Sequence, residues 1–150
     1  MHQIRLRGPW EYEPLVKYLA SGESQRDGLA AAGRIQMPAD WGEVLGADFH
    51  GQVRFTRFFH RPTGLSEIET VRLVVEQVDC RAELTINDHP LGNQDGTDVG
   101  RYDITTLLKP HNNLTIRVEL PRDADSTPPR PTGRLGMPGG IPGEVRLEIE

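Results

Sequence analysis

The sequence has a single cysteine, Cys80, in 150 residues. That excludes an internal disulfide and a multi-cysteine zinc site, and it says little about redox compartment. Aromatic residues are scarce at 6%, too few for a broad stacking platform. No run approaches the roughly 20 apolar residues that a membrane-spanning helix needs. The opening Met1-His2-Gln3-Ile4-Arg5-Leu6-Arg7 lacks the apolar stretch of a secretory signal, so a full-length chain of this sequence is expected in the cytoplasm. A basic excess is missing too. Seventeen Lys and Arg face 22 Asp and Glu, for a net charge of -5. With the basic residues dispersed, a nucleic-acid or membrane partner is not expected.

What is abundant is punctuation: 16 glycines and 12 prolines, which favour many short elements over a few long ones. Between the breaks, the apolar residues recur with period two. Val53, Phe55, Arg57 and Phe59 share one phase of a strand, with Arg54, Thr56 and Phe58 on the other. Thr70 to Val78 is rich in β-branched residues, and Ala82, Leu84 and Ile86 alternate with Glu83, Thr85 and Asn87. Leu114, Ile116, Val118 and Leu120 repeat the pattern, as do Val145, Leu147 and Ile149. Such alternation predicts half-buried antiparallel strands. Asn87-Asp88-His89-Pro90 is expected to make a tight hairpin, because Asn and Asp tolerate positive φ. His111-Asn112-Asn113 reads as a second turn, and Thr105 as the N-cap of one helical turn. Residues 20–33 and 121–143 read as loop insertions, the second dense in Pro and Gly and long enough to be functional. The expected architecture is all-β: one antiparallel β-sandwich jelly-roll domain over residues 1–150.

The order of motifs resembles a known family. Phe49-His50-Gly51-Gln52-Val53-Arg54-Phe55-Thr56-Arg57-Phe58-Phe59 looks like the segment in which family 2 glycoside hydrolases place a Gly, then an aromatic, an Arg and a Phe. Met37-Pro38-Ala39-Asp40-Trp41 before it is similar to their Val-Pro-Gly and tryptophan region. Val78-Asp79, then Ala82 to Gly92, resembles their strand and hairpin ending in Leu-Gly, with Asp88 where they have glycine. Tyr102-Asp103-Ile104-Thr105, Leu107-Leu108 and Asn113 to Val118 match further steps, and Gly139-Gly140-Ile141 leads into the final strand. The resemblance implies the N-terminal, galactose-binding-like sandwich of those enzymes, whose two catalytic glutamates lie in a separate barrel. It therefore implies a non-catalytic carbohydrate-binding or accessory module, with carbohydrate or a glycosidase domain as partner. A structural or protein-interaction module using the Pro-rich loop, and a fragment of a larger glycoside hydrolase, are the alternatives.

Hydrolysis on this chain alone would need two carboxylates about 5 Å or about 6.5–9.5 Å apart across a cleft. Asp95 with Asp98, Asp123 with Asp125, and Glu67 with Glu69 are the pairs close in sequence, and each reads as turn or surface solvation. The five histidines show no metal-ligand spacing. No cofactor is expected. Asp95-Gly96-Thr97-Asp98 is the local candidate for a structural calcium, short of a full calcium loop. Arg57 shares a phase with Phe55 and Phe59, so it must be paired or stacked, or reach a ligand from the strand end. The ligand-binding candidates are Trp41 to stack, Arg57, Arg130 and Arg134 to donate, and Asp123 and Asp125 to accept from hydroxyls.

Overall fold

In the computed structural model, residues 1–126, 130 and 132–150 are described; Thr127, Pro128, Pro129 and Pro131 of the Pro-rich loop lie outside the described residues. The strands, in chain order, are β1 (His2–Arg5), β2 (Trp10–Tyr18), β3 (Ser24–Gln25), β4 (Gly33–Ile35), β5 (Ala39–Asp40), β6 (Gly51–His60), β7 (Val71–Val75), β8 (Arg81–Ile86), β9 (His89–Asp95), β10 (Gly100–Asp103), β11 (His111–Leu120), β12 (Gly140–Ile141) and β13 (Val145–Ile149). Among the described residues the α-helix is one short turn, α1 (Gly42–Leu45). No helix among the described residues is long and apolar enough to cross a membrane.

The period-two phases dictate two layers. The larger sheet runs β3-β2-β6-β11-β8-β9, with β4 also on β2, and the smaller runs β1-β13-β7-β10. β6 and β11 are aligned over ten residues, from His111 opposite His60 to Leu120 opposite Gly51. One face of the larger sheet sends Val53, Phe55, Leu84, Ile86, Leu114 and Ile116 inward, all with no exposed surface. Val71, Leu73, Val75, Val145 and Leu147 of the smaller sheet meet them. The result is the antiparallel β-sandwich that the alternation predicts.

β13 departs from simple alternation, since all five of its residues are buried. Its outward-facing Arg146 and Glu148 are covered by an ion-pair network: Arg146 reaches Glu148 at 2.9 Å and Glu76 at 2.6 Å, and Arg101 reaches Glu148 at 3.4 Å. Burial works against the Arg146 charge, yet bonds to Glu76 and Glu148 hold its pKa above the ordinary value.

The Asn87-Asp88 turn is as expected, with φ of 50° and 65°. Asn87 does more than turn the chain: its amide donates to the Leu107 carbonyl and Asn112 Oδ1 and accepts from the Asn113 N–H at 2.9 Å. Asn87→Ala should therefore cost about 2 kcal/mol, from αL strain and orphaned polar groups together, read as a lower urea midpoint at unchanged slope. Two local expectations are corrected. Thr105 is not the cap of its turn; Asp103 Oδ1 accepts from the Thr105 N–H at 3.0 Å and hydroxyl at 2.6 Å, the shape of an Asx turn. His111-Asn112-Asn113 is not a turn but the start of β11, because Asn112 bonds back to Lys109 and Phe59 and closes the connection one step earlier.

Candidate functional site

At one end of the sandwich the closing loop folds back over β5 and the approach to β8. Its tail is laced in by backbone bonds: Gly140 and Ile141 pair with Asp40 and Ala39, the Trp41 N–H donates to the Gly139 carbonyl, and the Asp79 N–H donates to the Gly140 carbonyl. Side chains finish the attachment. Arg134 donates to Asp79 Oδ2 through Nε at 3.1 Å and Nη2 at 2.9 Å, and Nη2 also donates to the Pro138 carbonyl at 2.6 Å and reaches Asp40 at 3.4 Å. Arg130 lies 3.5 Å from the other Asp79 oxygen, donates to Asp125 Oδ1 at 2.7 Å, and donates to the Met137 carbonyl. Asp125 Oδ1 also accepts from the Gly136 N–H at 2.9 Å, so one carboxylate ties the two limbs of the loop together.

The electrostatics follow from this wiring. Asp79 is fully buried, and burial raises its pKa, with Arg134 and then Arg130 pulling it back. Asp125 is exposed, and its carboxyl is held below the usual range, first by the Gly136 amide and then by Arg130. Neither is arranged to pass a proton: one is clamped by guanidiniums, the other stays ionised.

Of the six candidates, Trp41, Asp125, Arg130 and Arg134 are gathered here. Their chemistry differs from the expectation. The Trp41 ring has no exposed surface. It meets Phe49 edge-on at 5.6 Å, lies nearly parallel to Phe55 at 6.4 Å, and donates through Nε1 to the Phe49 carbonyl at 3.2 Å. A face for stacking on a ligand is not presented, because a chain with few aromatics spends this one on its core. Arg130 Nη1 and Nη2 and Arg134 Nε and Nη2 donate to protein oxygens, while Arg130 Nε is buried without a hydrogen-bond partner among the described residues. Asp123 is exposed, and its carbonyl accepts from the Ser126 N–H and hydroxyl. Arg57 is on β6 opposite Leu114, half-buried, with Nη1 donating to the Phe58 carbonyl and Nε buried without a partner among the described residues. The pairing expected of it is with backbone, not carboxylate.

Asp79 is the residue that sequence reasoning missed. The available signal was an acid wedged between Val78 and Cys80 in an apolar segment, a position where a carboxylate needs a cation. Of the other acids, Asp95 accepts from the Thr97 N–H and hydroxyl at 3.0 and 2.7 Å, and Glu69 from the Ser66 N–H at 2.9 Å. Among the described residues no cluster of three or more His, Cys, Asp or Glu could hold a metal ion.

No protein-family profile matches the sequence, and no curated protein matches it. Solved structures do. An FMN-binding β-glucuronidase from Facaelibacterium prausnitzii L2-6 is similar over 99% of this chain and 22% of its own, at 24% identity and a TM-score of 0.73. A GH2 β-galacturonidase from Eisenbergiella tayi bound to glycerol matches over 98% of this chain and 24% of its own, at 16% identity and TM-score 0.70. A Bifidobacterium dentium β-glucuronidase complexed with coumarin-3-O-glucuronide matches over 97% and 29%, at 16% identity and TM-score 0.71. The chain has the fold of a GH2 sandwich module.

The chain spans under a third of the length of each of those enzymes. The fold implied by the motif order, from Met37-Pro38 to Gly139-Gly140-Ile141, is the fold observed. Gly139 shows why the closing motif needs glycine: a Cβ there would lie 2.4 Å from the Trp41 ring.

Proposed function

We propose that this chain is a non-catalytic accessory module of carbohydrate-active type, binding carbohydrate for a glycosidase rather than cleaving it. The observation that carries the reading is the extent of the fold match: 97–99% of this chain is accounted for by sandwich portions of glycosidases. The chemistry agrees, because among the described residues Asp40, Asp79 and Asp125 at the loop end serve as ion-pair partners of Arg130 and Arg134. In this reading the Asp79–Arg130–Arg134 knot is a brace that fixes the loop. Affinity in the millimolar range, about 4 kcal/mol, is expected for a single sugar. Titration of the purified chain with mono- and oligosaccharides, followed by NMR, tests it; flat titrations against every sugar would overturn it. A second reading, contact with a protein through the braced loop, is supported by Leu135 and Met137, which stand 47% and 43% exposed on it. It requires no sugar response.

A further inference from the structure

The outward face of the larger sheet is unlike the loop end, because its polar groups are only partly spent. Strand register sets out its rows. Glu13, Arg54, Arg117 and Glu83 lie side by side across β2, β6, β11 and β8. The next row is Glu11, Thr56, Thr115 and Thr85, and beyond it Phe58 stands beside Asn113. In the opposite direction come Gln52, Glu119 and Arg81. Two depressions occupy this face, of about 380 Å³ around Gln52, Arg117 and Glu83 and about 690 Å³ around Arg54, the threonines and Phe58. Arg117 lines the first and Arg54 the second, and the two are cross-strand neighbours, so the depressions adjoin, and together they are taken as one trough.

We propose that this trough is a binding site for a neutral oligosaccharide lying across β6, β11 and β8, with Phe58 as its stacking platform. The inference rests on the reading of the chain as a carbohydrate-binding module and gives that module its site. Phe58 is 54% exposed while Phe55 and Phe59 on the same strand are buried. An exposed ring in a polar trough offers the apolar face that a pyranose stacks on. Around it are planar and hydroxyl groups suited to sugar hydroxyls. Arg54 and Arg117 are oriented by Glu13 at 3.1 Å and Glu83 at 2.8 Å, and the Thr56 and Thr85 hydroxyls have no protein partner among the described residues. Charge selects the occupant. Seven carboxylates against four arginines line the two depressions, so uronates, nucleic acid and anionic lipid are disfavoured. The hydroxyl-lined floor offers little to an apolar peptide.

The test uses the full chain and a panel of neutral tri- and tetrasaccharides of glucose, galactose and mannose, beside trigalacturonate and an oligolysine peptide. Phe58→Ala removes the platform, and Thr85→Lys fills the floor; unchanged thermal midpoints establish that both variants fold. The expected result is binding of a neutral oligosaccharide, with amide shifts concentrated on β6, β11 and β8, and at least a tenfold weaker Kd in each folded variant. Neutral-sugar binding that both variants leave intact would overturn the trough and spare the module's function. Binding of trigalacturonate or oligolysine alone would also overturn it. A panel that binds nothing would overturn both.

Discussion

Arg134→Met is expected to lower stability by about 3–5 kcal/mol at neutral pH, the usual cost of removing one partner from a buried ion pair. Arg134 supplies both hydrogen bonds that Asp79 Oδ2 accepts. Arg130 remains 3.5 Å from the other oxygen, without a hydrogen bond between them. For a chain of this size the loss corresponds to a fall of roughly 6–20 °C in the thermal midpoint. The pH dependence identifies the cause. Burial already holds the Asp79 pKa above its ordinary value, and Arg134 is the chief influence drawing it back. Without Arg134 the folded-state pKa moves further up while the unfolded value stays put. A native state that binds the proton more tightly gains stability as pH falls. The deficit of the variant is therefore full above the folded pKa and shrinks as pH drops through it towards the unfolded value. Adding Asp79→Asn to Arg134→Met should recover part of the loss at neutral pH, since no carboxylate is then left to desolvate. Equal deficits at pH 7 and in acid, with no recovery in the double variant, would assign the effect to packing instead.

That carboxylate illustrates what sequence could and could not convey. The strands β6, β8, β11 and β13 were legible because one phase of each is apolar and buries against the other sheet. Phe58 was legible as outward-facing for the same reason. β2 was hidden by Pro14, which the sheet accommodates with a bulge between Pro14 and Val16. β9 was hidden by Pro90 and Gly92, again beside a register shift. Arg146 and Glu148 look like surface residues in sequence, and their pairing with each other and with Glu76 and Arg101 lets them be buried. At the loop end, composition pointed to arginines and aspartates but not to their partners. Arg134 and Asp79 are 55 positions apart, and no local pattern couples them. What a periodic sequence states is which face is buried; which charges meet is settled by the closing of the loop.

The same closure sets the second large effect, Trp41→Ala, expected to cost about 3–5 kcal/mol as a buried aromatic truncated to a cavity. Trp41 belongs to two structures at once. Its ring is packed among Phe49 and Phe55, and its backbone N–H donates to the Gly139 carbonyl at 2.8 Å. Gly139 rests so close on the indole that the cavity would open directly beneath the loop tail. The loss should thus include faster hydrogen exchange at the Asp79 N–H, which is bonded to the neighbouring Gly140 carbonyl. Trp41→Phe should cost less, because it keeps most of the aromatic contact and gives up mainly the Nε1 bond to Phe49. Chemical denaturation and exchange measured together separate a core role from a surface one. If Trp41→Ala left both at wild-type values while weakening a sugar titration, the indole would have to reach ligand from an open loop. The brace formed by Asp79, Arg130 and Arg134 would then have to be a gate.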